Sequence, residues 1–320
     1  MSALTPEEFV AALYRCCLGR EPDPGGLASW SDQISQHGDP TAVLAGIMAS
    51  EEYRLRSVTN NRIEARCAAI ADDARRALGR PLRIVDVGAQ LLGPGSNPYD
   101  PLASYPPLDI IGFDPLEERL AERAEAEGQQ GVTLLPYAIG DGESHTLYIN
   151  NDDATSSLYP LNATFNTSFN HLRELHTVGT QTVETKRLDD VLPRGVVDFL
   201  KLDVQGAELM VLKSARQTLQ STAVVHCEVE FAPIYAGQPL YPEVQQFLNA
   251  CGFELIDLLV PTRYHYVTED NGTGQDRLLW ADAVFCRVTD DPDTLRAQSL
   301  IAAAVYRKPT LAAHLLRSSG

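Results

Sequence analysis

The stretch Val197-Asp198-Phe199-Leu200-Lys201-Leu202-Asp203-Val204-Gln205-Gly206-Ala207-Glu208 decides how this chain reads. Val197 to Val204 is apolar apart from Asp198, Lys201 and Asp203, the composition of a buried strand. Gln205-Gly206 turns the chain, and Leu209, Leu212 and Ala215 then recur at helical spacing. Lys201 and Asp203 are two apart on a strand, so they face the same side. In open α/β sheets, ligands bind outside the carboxyl ends of the strands. A buried strand that ends in a carboxylate there is a site candidate rather than a packing feature.

Working outward, strands and helices alternate from Pro81 onward, which signals a parallel sheet. Strands are predicted at 82–87, 109–113, 132–137, 196–203, 223–229, 253–260 and 280–288, with helices near 116–127, 207–220 and 242–251. Residues 1–58 read as a compact helical module. Thr5-Pro6-Glu7-Glu8 is a capping box with proline at the first helical position, and Gly19 ends that helix. Asp23-Pro24 and Asp39-Pro40 start two more helices. Residues 59–80 read as a linking helix, 81–289 as the main domain, and 290–320 as an appended helix and tail.

The other strand ends carry acids as well. Ile84-Val85-Asp86-Val87-Gly88-Ala89-Gln90 is a strand running into a glycine turn, where Gly88 lets a ligand approach the backbone. It is not a dinucleotide fingerprint. The next glycine is Gly93, no Gly-x-Gly occurs and no Walker lysine follows, which weakens an NAD-dependent oxidoreductase reading. The loop that follows contains Pro94, Pro98 and Pro101, which delay any long helix. The strand Ile110 to Phe113 leads to Asp114, placed either to accept from both ribose hydroxyls of a nucleotide or to cap the next helix with Pro115 behind it. The strand Ala223 to Phe231 brings Glu228 and Glu230 beside Asp203. Converging carboxylates could serve as a base or as oxygen ligands for a divalent metal, and no residue is assigned to a metal. Lys201 could neutralise these acids or form a structural pair. Glu208 could simply satisfy a helix N-terminus, and His226 reads as a core histidine.

These segments, with Glu228-Val229-Glu230-Phe231-Ala232-Pro233 and the closing strand Ala281 to Phe285, resemble the FkbM-type S-adenosylmethionine-dependent methyltransferases over roughly residues 82–288. The resemblance implies a Class I, Rossmann-like α/β fold: a seven-stranded, mostly parallel sheet, here preceded by a small all-α domain. It implies S-adenosylmethionine as cofactor and O-methylation of a glycan or secondary-metabolite hydroxyl. Asp86 would then orient the turn or reach the methionine amine, beside Gly88, Ala89 and Gln90, with Gly93 and Tyr99 as weaker candidates. Asp141, in Leu135 to Gly142, would accept from the adenine amino group, unless Gly140-Asp141-Gly142 is a plain turn. Ala154 to Leu158 resembles a serine-containing loop near the active site. Asp203, Lys201 and Glu228 would form the catalytic group. Most members carry Asn where Gln90 stands.

Residues 9–53 resemble a small bacterial domain of unknown function, distantly similar to phycobilisome linker domains. That likeness implies interaction or carbohydrate-associated contexts, hence a protein partner through residues 1–58. A non-catalytic interaction protein with a degenerate methyltransferase fold is the competing reading.

Bulk properties narrow the classes further. The chain has 320 residues, 44% hydrophobic and 22% charged, which is ordinary globular composition. A net charge of −17 would repel nucleic acid. No apolar run reaches membrane-spanning length, and the N-terminus lacks the pattern of a signal peptide. The six cysteines form no Cys-x-x-Cys pair, so free thiols in a reducing cytoplasm are expected. Homo-oligomer formation stays open.

Overall fold

In a computed structural model the described residues are 4–90, 96–127, 131–269 and 274–320. Of the candidate residues named above, Gly93 lies outside them. The chain divides into two compact units, Met1–Ala69 and Ile70–Gly320.

The first unit is helical: Pro6–Leu13, continued by a wider turn Tyr14–Leu18, then Pro24–His37, Pro40–Ala49 and the start of Glu51–Leu78. The capping box forms as its residues dictate. Glu8 N donates to Thr5 Oγ1, and Thr5 N donates to Glu8 Oε2 at 2.7 Å. Gly19 takes the left-handed conformation (φ 65°) that closes the first helix. Val10, Tyr14, Leu18, Val43 and Ile47 form the core, with Trp30 packed against it. Arg20 forks onto Glu52 at 2.6 and 2.8 Å. The helix expected at 59–80 begins earlier, at Glu51. Ser50 caps it by accepting from Tyr53 N at 3.2 Å, and no glycine or proline interrupts it before Gly79.

Among the described residues the second unit has nine strands: β1 Leu82–Val87, β2 Leu108–Phe113, β3 Val132–Leu135, β4 Ser144–Asn150, β5 Thr177–Glu184, β6 Val197–Leu202, β7 Thr222–Glu230, β8 Phe253–Tyr264 and β9 Arg277–Arg287. Seven form one sheet in the order β3-β2-β1-β6-β7-β9-β8. Neighbours run parallel from β3 to β7, and β9 runs antiparallel to both β7 and β8. This is the mostly parallel seven-stranded sheet expected of the methyltransferase fold. β4 and β5 pair separately as an antiparallel two-stranded sheet. Most of their residues are at least partly exposed, so they carry little of the apolar periodicity by which strands are read.

Two other elements differ from the sequence reading. The helix expected at 207–220 breaks at Ala215 into Glu208–Ser214 and Arg216–Gln220. The C-terminal tail is a second helix, Pro309–Ser318, restarted by proline at its first turn. The helix before it, Pro292–Ala304, is part of the core. It buries Leu295, Leu300 and Ile301 and packs against β6 and β7. Gln298 Nε2 donates to the carbonyls of Ala223 (3.0 Å) and Arg287 (2.8 Å).

Register sets the site. Asp86 pairs with Lys201, and Lys201 with His226, across β1, β6 and β7. Parallel partners project to one face, so a polar row crosses the sheet there. Glu228 pairs with Asp282 across β7 and β9. The strand order reverses direction between β1 and β6, and crevices for ligands open at such switch points.

Candidate active site

The turn after β1 leaves no room for a side chain. Gly88 has φ +81°, and a Cβ built there would lie 1.8 Å from the Asp203 carbonyl oxygen. Only glycine lets the turn pass so close under the end of β6.

Beneath this turn Asp86 is fully buried. Its Oδ1 lies 3.1 Å from Lys201 Nζ. Its Oδ2 accepts from Arg123 Nη1 at 2.7 Å and from the Tyr99 hydroxyl at 2.6 Å. Lys201 also donates to the Gly88 carbonyl at 2.7 Å, and Arg123 to the Ala89 carbonyl at 3.0 Å. Burial alone would push the Asp86 carboxyl up, but the Lys201 and Arg123 charges outweigh it and hold the carboxyl below its ordinary value. Lys201 is likewise raised against the effect of its burial, chiefly by Asp86. Asp86 and Ala89 therefore lie behind the wall of the crevice, not on it.

The crevice is a cleft bounded by Gly88, Gln90, Asp114, Ser157, Asp203 and Glu228. Phe113 and Tyr137, whose rings stack with centroids 6.5 Å apart, line its apolar side with Ile139 and Leu147. Asp114 is 8% exposed, and burial pushes its carboxyl up to about 6. Its Oδ1 accepts from Leu116 N at 2.9 Å, so it caps the turn while also lining the cleft. Asp141 stands off the cleft wall. It bonds His145 at 2.8 Å and the Glu143 amide at 3.0 Å, the plain-turn arrangement. Lys201 also stands off this wall, and borders a second cavity that shares Gln90 and Asp203 with the cleft.

At the Asp203 end, Gln205 is a left-handed non-glycine residue (φ 54°), a conformation usually held by surrounding structure at functional sites. Its Nε2 donates to Asp203 Oδ1 at 3.0 Å and to Glu228 Oε2 at 2.6 Å. Its Oε1 accepts from the Tyr235 hydroxyl at 2.8 Å, and its carbonyl from Ser157 Oγ at 2.5 Å. The serine loop thus fastens the turn. Carboxylate oxygens of Glu208, Glu228 and Glu230 lie within 4.8 Å of one another. Burial, reinforced by neighbouring acids, raises Glu208 to about 7 and Glu228 and Glu230 well above the ordinary range. Such a cluster holds protons near neutrality. By contrast Asp198, the other acid of β6, takes the Arg80 guanidinium at 2.8 Å through both oxygens and is structural.

Four residues of this site escape the sequence reading: Arg123, Gln205 and Tyr235, and Tyr99 in its buried role. Arg123 sits in a helix rich in Glu and looks solvent-facing, but its spacing from Leu120 puts it on that helix's inner face. The polar character of Gln205 gives no sign of its backbone conformation.

The methyltransferase FkbM domain family matches residues 86–255. A domain of unknown function, DUF4214, matches residues 1–56. The 2-O-methyltransferase NoeI of Sinorhizobium fredii is 29% identical over 163 residues, 48% of this chain and 66% of NoeI, so the chain spans just under two thirds of that relative. Among solved structures, the 1,6-didemethyltoxoflavin-N1-methyltransferase of Burkholderia thailandensis is 14% identical with a TM-score of 0.33, covering 90% of this chain and 93% of its own. A DUF574 family protein of Streptomyces avermitilis is 14% identical with a TM-score of 0.34, covering 87% and 97%. The family match takes in more than half of the chain, including the Gly88 turn, Asp114 and the Asp203–Glu208 turn, and the chain belongs to the FkbM methyltransferase family.

Proposed function

We propose that the protein transfers the methyl group of S-adenosylmethionine to a hydroxyl of a glycan or small secondary metabolite. The observation that carries this reading is the cleft at the switch point, which holds Gly88, Asp114 and Asp203 on one wall system. The cofactor suits it. In this reading Asp114 takes the ribose hydroxyls, the Gly88–Gln90 turn the methionine half, and the Phe113–Tyr137 side the adenine. The name of the curated relative, a 2-O-methyltransferase, favours oxygen as the nucleophile.

Transfer from a sulfonium is an in-line displacement, so the protein mainly aligns acceptor oxygen, methyl carbon and sulfur. As the carbon–oxygen bond forms, the sulfur–carbon bond breaks and the hydroxyl proton leaves. We assign that proton to the Asp203 carboxylate, at the mouth of the cleft. Lys201, 3.7 Å from Asp203, is a positioning residue. Glu228 positions Asp203 indirectly, by fixing the Gln205 amide between them.

The reaction is assigned to the cytoplasm. The buried free thiols Cys67, Cys227 and Cys286 are in keeping with a reducing compartment, and no helix among the described residues is long and apolar enough to cross a membrane. Residues 1–58, a separate helical unit from the methyltransferase domain, are assigned to contacts with a protein or carbohydrate partner.

Calorimetric titration with S-adenosylhomocysteine tests the cofactor assignment. Micromolar affinity, about −8 kcal/mol, is expected. Failure of the wild-type protein to bind would overturn the reading. Tight binding with no transfer to any of a broad set of hydroxyl compounds would favour a non-catalytic interaction role.

A further inference from the structure

We infer that the second cavity receives the methyl acceptor, and that it is built for a neutral polyhydroxylated ring, a glycosyl unit. This rests on the cofactor reading above and deepens it. The cavity measures about 330 Å³ and shares Gln90 and Asp203 with the cofactor cleft. A molecule seated there meets the methyl donor across Asp203, where the displacement needs the acceptor oxygen and its proton acceptor. Its size suits one ring, near the lower end of the roughly 300–1,000 Å³ of small-molecule sites.

Hydrogen-bonding groups converge on this cavity from five separate segments: Asn97, Asp203, His226, Asp282 and Tyr306 all border it. The His226 ring is stacked on Tyr306 at an interplanar angle of 9° and also on Phe199. Its Nδ1 lies 3.1 Å from the Tyr306 hydroxyl, and its Nε2 3.7 Å from Asp282 Oδ2. In the tautomer with its proton on Nε2, the ring accepts from the Tyr306 hydroxyl at Nδ1 and turns a donor toward Asp282. An imidazole donor beside a carboxylate acceptor matches neighbouring hydroxyls, each of which both donates and accepts.

Charge selects against anions. Asp203 and Asp282 both border the cavity, and its cation, Lys201, is already paired with Asp86 and Asp203. A uronate or sugar phosphate would be desolvated against two carboxylates with no uncommitted cation among these groups. The apolar wall has its own construction. β8 shifts register between Leu259 and Thr262, and Val260 there is left-handed (φ 46°), an outlier for a β-branched residue. Bulges of this kind re-aim side chains beside active sites, and Leu259 and Val260 both border the cavity.

Leu259, Asp282 and Tyr306 all fall outside the family-matched segment 86–255. Part of the acceptor cavity is thus supplied by the C-terminal part of the chain, beyond the matched segment.

Saturation-transfer NMR on the full chain with S-adenosylhomocysteine tests this. The probes are the methyl glycosides of glucose, mannose and galactose, with methyl glucuronide and a hexose phosphate as anionic counterparts. At least one neutral glycoside is expected to bind, and the anionic probes not. Asp282→Asn and Tyr306→Phe, both nearly isosteric, are expected to weaken the glycoside about tenfold while leaving S-adenosylhomocysteine affinity within about twofold. Glycoside binding untouched by both variants, equal binding of the anions, or no glycoside binding to the cofactor-loaded protein would each overturn the inference. Those results leave the cofactor reading intact. Failure to bind S-adenosylhomocysteine at all removes that reading, and this one with it.

Discussion

The Lys201 ammonium lies 3.1 Å from Asp86 Oδ1 and donates to the Gly88 carbonyl at 2.7 Å, so one side chain joins the interior carboxylate of β1 to the turn above it. Both charges are almost wholly removed from water. Breaking one member of a buried pair leaves the other uncompensated, which costs about 3–5 kcal/mol. Arg123 remains bonded to Asp86 in a Lys201→Met variant and keeps the loss toward the lower figure. We expect roughly 3 kcal/mol from urea unfolding, together with weaker S-adenosylhomocysteine binding because the Gly88 turn loses its anchor. A variant as stable as the parent would show that the pair contributes nothing to the fold.

Asp114 gives the cofactor a pH dependence. Its carboxyl titrates at about 6 in the folded protein because it is buried. Ribose hydroxyls donate to the ionised form, so affinity should be level above about pH 7 and fall about tenfold for each unit below 6. The same shift acts oppositely on the free protein. Its stabilising contribution is full below the unfolded value near 4 and is lost as pH rises through 6. Asp114→Ala should abolish S-adenosylhomocysteine binding without unfolding the chain. Retained binding, or binding level from pH 5 to 8, would count against the ribose role.

Fold and site were legible to different depths. Apolar strands ending in acids gave the sheet, because burial on both faces leaves a continuous apolar run in the sequence. The Gly88 turn was readable because glycine has a distinct steric use. The surroundings of Asp86 lie beyond sequence reading: strand position shows which face a carboxylate points to, but not that Arg123 and Tyr99, from other segments, enclose it. The role of Gln205 is hidden from sequence reading because it comes from a positive φ and from Tyr235, thirty residues away. The C-terminal helices read as an appendage because amphipathic spacing does not reveal which surface they cover.

Gly88→Ala tests how tightly the turn after β1 packs against the end of β6. The new methyl would stand 1.8 Å from the Asp203 carbonyl oxygen, at φ +81°. The left-handed conformation alone costs about 1–2 kcal/mol for a residue with a Cβ, and the collision is with backbone, which cannot swing aside. Loss of more than about 2 kcal/mol of stability and of S-adenosylhomocysteine binding is expected. Wild-type behaviour in both measurements would mean the turn sits farther from Asp203 than the structure places it.

Glu208 should make the protein less stable as pH rises. It is 2% exposed, and burial lifts its carboxyl from 4.5 to about 7. Between those values the folded chain keeps a proton that the unfolded chain has released. Its contribution is therefore complete below about pH 4.5 and lost as pH passes 7, with a ceiling of roughly 3 kcal/mol at 1.36 kcal/mol per unit. Glu208→Gln retains an acceptor oxygen for the Val204 amide, which now donates to Oε1 at 2.8 Å, but cannot ionise. Glu228 and Glu230 lose a neighbouring charge and are relieved in the same direction. The variant should match the parent near pH 4.5 and exceed it at pH 8, read as a smaller fall in Tm between the two. Parallel Tm curves across that range would show that Glu208 does not hold its proton in the folded state.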